Sequence, residues 1–169
     1  MLGITIRPES SADGAAIEAV TVAAFRDAPH AAHTEQFIVA ALRRAGQLTV
    51  SLVAELGGAV VGHVAASPVS LSDGSPGWFG LGPISVLPEH QGRGIGSRLM
   101  REVLQQLRDT GAAGCLLVGD PRFYQRFWFR SHTALAYPEV PAEVFLVLPF
   151  GGAVPQATVR FHPAFTATG

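Results

Sequence analysis

The stretch Gly82-Pro83-Ile84-Ser85-Val86-Leu87-Pro88-Glu89-His90-Gln91-Gly92-Arg93-Gly94-Ile95-Gly96-Ser97 decides the fold. An apolar strand enters a loop with glycine at every second position, and that loop opens onto an amphipathic helix. The start of a helix leaves about four backbone N–H groups without intrahelical partners and carries a positive partial charge, so its amides converge on anions. Gly92, Gly94 and Gly96 tolerate positive φ and lack the Cβ that would hold a phosphate away, while Arg93 adds a formal charge beside the amides. The guest these features suit is a pyrophosphate.

Two common nucleotide-binding motifs do not fit. A mononucleotide P-loop needs Gly-Lys-Ser/Thr, but Gly96 is followed by Ser97 and Arg98. A dinucleotide fingerprint needs its third glycine where Ser97 stands and belongs after the first strand of a βαβ unit. What remains is Gln-x-x-Gly-x-Gly, from Gln91 to Gly96, preceded by Ile84-Ser85-Val86. This pattern resembles the acyl-CoA loop of the GNAT superfamily of N-acetyltransferases. The likeness extends from the Ile6-Arg7-Pro8 opening through Phe123-Tyr124 to Tyr137-Pro138-Glu139-Val140-Pro141-Ala142-Glu143, a segment that resembles a subgroup of small bacterial predicted acetyltransferases.

The resemblance implies an α/β (α+β) fold of three layers. A central, mixed, mostly antiparallel twisted sheet is flanked by helices and splayed between its fourth and fifth strands, here residues 78–86 and 115–118. It implies acetyl-CoA as co-substrate, held by Ile84, Ser85, Val86, Gln91, Gly92, Arg93, Gly94, Ile95, Gly96, Ser97 and Tyr124. Backbone groups of residues 84–86 would bond the pantetheine arm.

Composition sets the frame for that reading. At 169 residues the chain fits a single domain over 1–169, and 48% hydrophobic against 15% charged residues gives ample apolar surface to bury. A net charge of −1 without a basic run argues against nucleic acid or an anionic membrane surface as partner. Arg93, Arg98, Arg101 and Arg108 against Glu102 and Asp109 give a local positive bias, for which a solvated helix face is the plainer explanation. The single cysteine, Cys115, permits no internal disulfide or thiolate cluster, and no run reaches the roughly 18 apolar residues that span a bilayer. The start shows no leader pattern, so a cytoplasmic protein is expected. His30 and His33 beside Pro29 lack a third ligand, and no metal is expected.

Read in order, residues 3–7 form a strand, residues 15–25 a helix started by Ser10, Ser11 and Asp13, and residues 34–45 a second helix closed by Gly46. Residues 48–56 and 59–67 are strands of a hairpin about Gly57-Gly58. The strand 78–86 carries Gly80, Gly82 and Pro83, which mark a bulge or a splayed edge. The helix 94–110 places Ile95, Leu99, Val103, Leu104 and Leu107 on one face. Residues 115–118 read as a buried parallel strand, and Gly119-Asp120-Pro121 starts the next helix with an acidic cap and proline at its first position. Residues 143–150 and 157–161 read as closing strands.

The chemistry implied is direct acetyl transfer, in a ternary complex, to a primary amine of a small molecule or protein. The backbone N–H of Val86 polarises the thioester carbonyl, and Tyr124, a phenol of ordinary pKa about 10, protonates the departing thiolate. Glu55, His63 and Glu143 are candidates for the base. Cys115 sits in an apolar run and reads as a core residue. Two departures from the family pattern lie near Tyr124: Asp120 where many members have Asn, and Trp128 where many have Gly. If the turn at 128 is left-handed, a bulky residue costs about 1–2 kcal/mol there, so either the turn differs or packing of the Trp128 ring offsets the strain. A non-catalytic acyl-CoA-binding module is the alternative that these departures leave open. Residues 26–36 and 131–143 are expected to line the acceptor pocket, and exposed sheet edges are compatible with a homodimer.

Overall fold

The computed structural model describes residues 3–28 and 31–169. Pro29 and His30 lie outside them. In chain order the elements are β1 (Ile4–Pro8), α1 (Gly14–Phe25), α2 (Glu35–Arg44), β2 (Val50–Leu56), β3 (Ala59–Pro68), β4 (Ser70–Leu71), β5 (Trp78–Val86), α3 (Ile95–Asp109), β6 (Gly114–Val118), α4 (Pro121–Tyr124), β7 (Leu135–Ala136), β8 (Phe145–Pro149) and β9 (Ala157–Arg160). The central sheet runs β1-β2-β3-β5-β6-β8. It is mostly antiparallel, with β5 and β6 a parallel pair. Backbone proximity divides the chain into two compact units, the first comprising Met1–Ala66, Gly82–Leu104 and Pro163–Gly169, the second Ser67–Leu81 and Gln105–His162.

In the first unit, β2 turns into β3 through Gly57 and Gly58 at φ +57° and +84°. Two successive positive φ values are what a tight hairpin with matching twist requires, and glycine supplies them at no steric cost. The pleat then sorts side chains to two faces. Ala54 pairs with Gly62, and a Cβ on Gly62 would stand 3.1 Å from Leu99 of α3. Val53 pairs with His63 and packs instead with Ile17 of α1 and Val39 of α2. Helices therefore cover both faces of this part of the sheet. α3 buries Ile95, Leu99, Val103, Leu104 and Leu107, the stripe its periodicity predicts, together with Met100. Each such side chain contributes roughly 1.5–3 kcal/mol of transfer free energy.

In the second unit, Trp78 of β5, Leu116 of β6 and Phe145 and Val147 of β8 share one core with Leu71, Leu135 and Val159. The latter three belong to a small second sheet, β4-β9-β7, that the sequence does not announce because β4 and β7 are two residues long. Residues 157–161 thus close that small sheet and not the central one. Gly80 and Gly114 have a packing reason. A Cβ at either would come within 2.6 Å of a ring carbon, of Phe161 and Trp78 respectively. Val118, expected inside with the rest of its strand, is 45% exposed. Among the described residues no helix is long and apolar enough to cross a membrane.

Candidate active site

β5 changes character along its length. Its ladder with β6 pairs Trp78 with Gly114, Phe79 with Cys115 and Gly80 with Leu116, and among the described residues runs no further. Gly82 follows at φ +132°, and residues 84–86 continue the strand without a β6 partner. The defect expected from Gly80, Gly82 and Pro83 is therefore an end to the β6 ladder after Gly80; residues 84–86 still border β3, and their β6-facing edge is where a ligand could bond.

Beyond Val86 the chain makes a short 3₁₀ turn, Pro88–His90, and enters the glycine loop. Gln91 donates from Nε2 to the carbonyl of Val86 at 3.0 Å, so its side chain ties the loop back to the strand. Gly92 and Gly94 stand at φ +76° and +83°, and among the described residues nothing lies within 4 Å of where a Cβ on either would be. Arg93 between them is exposed. Ile95 and Ser97 send their side chains inward, so what they offer a ligand is backbone N–H. The first turn of α3 holds no acidic residue, and the open, positively polarised helix start fits a phosphate group. Two of the helix arginines are exposed, as a solvated face implies, and also make a contact. Arg98 donates to the Ile4 carbonyl at 2.9 Å, and the Arg108 guanidinium lies 4.3 Å over the Phe150 ring.

Tyr124 closes the four-residue helix α4. The Asp120 carboxylate caps that helix, accepting from the Arg122 N–H at 2.9 Å and pairing with its guanidinium at 2.8 Å. The Tyr124 ring packs edge-on to Phe123 and Phe129 and lies so close to Gly119 that a Cβ there would fall 2.4 Å from Cε2. Burial, with the Asp120 charge adding to it, pushes the phenol up to about 12, so it stays protonated at neutral pH. Trp128 then adopts φ +75°, ψ +12°, the left-handed turn. Its ring is 82% exposed. Both alternatives drawn from the sequence are thus corrected, since the turn keeps the left-handed form and no packing of the ring offsets the strain.

The candidate bases separate clearly. Glu55 is engaged by Arg7, whose Nη2 lies 3.0 Å away and whose other contacts hold Asp13. Those contacts also hold the Asp13 carboxyl well below its ordinary range. Glu143 is exposed on a 3₁₀ turn. His63 is wholly buried on β3, with Nε2 2.8 Å from Ser51 Oγ. Ser51 also donates to Glu9, which is gripped by Arg43. This cluster joins positions 9, 43, 51 and 63. No local pattern advertises it; only the strand register and the placement of α2 bring it together. Cys115 is fully buried and its thiol is pushed far up by that burial, as suits a core residue.

A mixed sheet whose parallel pair parts ahead of a glycine loop at a helix start is the architecture of a GNAT-type acyltransferase. A model of the acetyltransferase (GNAT) family matches residues 11–129. The uncharacterized N-acetyltransferase YhbS of Escherichia coli (strain K12) is 35% identical over 125 residues, 73% of this chain and 72% of its own. A crystal structure of a GNAT family acetyltransferase from Brucella melitensis in complex with acetyl-CoA superposes with a TM-score of 0.87 at 47% identity, covering 98% of this chain and 99% of that one. Escherichia coli YhbS in complex with CoA superposes at 0.86 with 31% identity, covering 100% and 95%. The chain belongs to the acetyltransferase (GNAT) family and is an acyltransferase.

Proposed function

We propose that the protein moves an acetyl group from acetyl-CoA to a primary amine of a small molecule or a protein, by direct transfer within a ternary complex. The observation that carries this reading is the loop. Gly92 and Gly94 turn the backbone with positive φ and an unobstructed approach, and α3 begins immediately after them without an acidic side chain. The solved relatives from Brucella melitensis and Escherichia coli are complexes with acetyl-CoA and CoA, which supports the same ligand here.

Each residue then has a separate task. Backbone N–H groups from Gly92 to Ser97, with Arg93, hold the pyrophosphate. Backbone groups on the edge of residues 84–86 that β6 does not pair bond the pantetheine amides, and the Val86 N–H polarises the thioester carbonyl as negative charge grows on its oxygen. Gln91 fixes the exit of β5 through Val86, so that this N–H is held in place. Tyr124 donates its proton to the departing thiolate, a task for which a phenol kept protonated by burial is suited. The buried thiol of Cys115 has no part in a covalent route. Bound acetyl-CoA supplies an activated acyl carbon, so the chain needs to orient the amine and manage two protons.

Calorimetric titration of acetyl-CoA into the wild-type protein and into Gly94→Glu tests this. Micromolar binding to the wild type and at least about 100-fold weaker binding to the variant is expected, since Glu brings bulk and negative charge to the phosphate loop. Arg93→Ala, which leaves the glycine turns untouched, should weaken binding by less. Absence of binding to folded wild-type protein, or equal binding to Gly94→Glu, would overturn the reading.

A further inference from the structure

Four polar side chains of the first unit join into a chain of contacts that ends on a buried atom without a partner. Arg43 of α2 grips both oxygens of Glu9, Nε to Oε2 and Nη2 to Oε1, at 2.9 Å each. The Ser51 hydroxyl of β2 donates to Glu9 Oε1, and Ser51 Oγ lies 2.8 Å from Nε2 of His63 on β3. His63 is completely buried, and among the described residues its Nδ1 has no hydrogen-bond partner.

Donor and acceptor rules fix where the protons are. Burial pushes the Glu9 carboxyl up, but the bonds from Arg43 and Ser51 outweigh it and leave Glu9 below its ordinary range, hence ionised at neutral pH. A carboxylate can only accept, so the Ser51 proton is committed to Glu9. Ser51 Oγ therefore accepts from His63, which must carry its hydrogen on Nε2. The lone pair of Nδ1 is left bare. Burial pushes the ring down to about 4, with Glu9 pulling it back up and Arg43 adding to the fall, so His63 is neutral at physiological pH. A buried lone pair without a donor destabilises a fold. A purely structural position would be better filled by an apolar side chain.

His63 stands on the strand that borders residues 84–86, on the same face as its partner Val53, which packs with Ile17 of α1 and Val39 of α2. The residue before His63, Gly62, has the Ser85 carbonyl oxygen 3.1 Å from the point where a Cβ would stand, so β3 here lies against residues 84–86. Ser85 Oγ is another buried polar atom without a partner among the described residues. Glu55 is held by Arg7 and Glu143 is exposed, so neither competes for the role.

We propose that His63 is the proton acceptor of acetyl transfer. Its Nδ1 takes, through one water, the proton that the amine nitrogen sheds after attacking the thioester carbon. Ser51 and Glu9 are positioning residues that hold the Nε2–H tautomer and face the resulting imidazolium with a carboxylate. In that step the nitrogen–hydrogen bond breaks and the Nδ1–hydrogen bond forms. The carbon–sulfur bond breaks with its electron pair going to sulfur, the thiolate takes the proton of Tyr124, and exchange with solvent resets His63 and Tyr124. A weak base suffices because the attacking nitrogen, once bonded to the acyl carbon, is positively charged and far more acidic than a free ammonium ion. The charged groups that face His63 are Glu9 and Arg43.

This inference rests on the acetyl-transfer reading, and its test keeps the two apart. A panel of primary amines, from small aliphatic and aromatic amines to a peptide amino terminus, is assayed with acetyl-CoA by thiol release, using wild type, His63→Gln, Glu9→Gln and Ser51→Ala. His63→Gln is expected to lower kcat about 100-fold with acetyl-CoA affinity unchanged by calorimetry, and to flatten the acid limb of the kcat profile. Glu9→Gln should move that limb to lower pH, because the imidazolium loses its counter-charge. Long-range ¹H–¹⁵N NMR of the wild-type protein should show the His63 hydrogen on Nε2. Wild-type protein that binds no acetyl-CoA, or acetylates no amine in the panel, defeats the transfer reading and this inference with it. Unchanged kcat in His63→Gln, or a hydrogen on Nδ1, overturns the inference alone. Should His63→Gln fail to fold, an acid limb that stays in place in Glu9→Gln overturns it instead.

Discussion

The starts of α3 and α4 are built from the same backbone physics and reach opposite ends. Both present unpaired N–H groups and a positive partial charge. At α4 the protein supplies its own anion. Asp120 accepts from the Arg122 N–H and pairs with the Arg122 side chain, and Pro121 removes one donor at the first position. At α3 the first turn holds no carboxylate, two glycines turn the backbone toward it without obstruction, and an exposed arginine stands between them. The lesson is that a helix terminus becomes a binding site by what is left out. Capping satisfies one terminus from within, whereas the other is left open to the ligand proposed for it.

The largest effect expected at the second terminus is chemical. Tyr124→Phe should reduce turnover about 100-fold, measured by thiol release, with acetyl-CoA affinity within about twofold of wild type, because the phenol donates a proton late and contributes little to ground-state binding. Unchanged turnover would remove Tyr124 from the mechanism. A smaller effect follows from Asp120→Ala, which strips the cap and should lower the melting temperature by about 2–4 °C while leaving acetyl-CoA affinity within about threefold. A tenfold loss of affinity would mean that this terminus serves the ligand too, and the contrast between the helices would fail. The smallest effect has the opposite sign. Trp128→Gly relieves a left-handed turn whose ring is almost wholly exposed, so thermal unfolding should show a gain of about 1 kcal/mol. A loss of that size would show that the ring makes contacts that matter.

How much of this was legible in the chain differs along the same line. The loop at residues 91–97 is readable in part, because Gly92 and Gly94 take the positive φ that their spacing suggests, whereas Gly96, grouped with them, already belongs to α3. The stripe on α3 and the Gly57-Gly58 hairpin are legible for a related reason, since periodicity and turn chemistry are local. The small sheet β4-β9-β7 was not, because two-residue strands carry no period. Gly80 looked like a strand defect, yet it makes room for the Phe161 ring, and only tertiary packing reveals that. The sequence correctly raised the question of the turn at Trp128 but offered two ways to relieve it, and the structure uses neither. The network from Arg43 to His63 was the least visible part, for it depends on register between β2 and β3 and on where α2 settles.

The contrast between the two termini depends on whether the open start of α3 holds a pyrophosphate. Parallel calorimetric titrations of acetyl-CoA and S-acetylpantetheine, which carry the same thioester with and without the pyrophosphate and nucleoside, test that with the wild-type protein alone. Acetyl-CoA is expected to bind at least about 100-fold tighter, a difference of about 2.7 kcal/mol. Equal affinity for the two donors would contradict that.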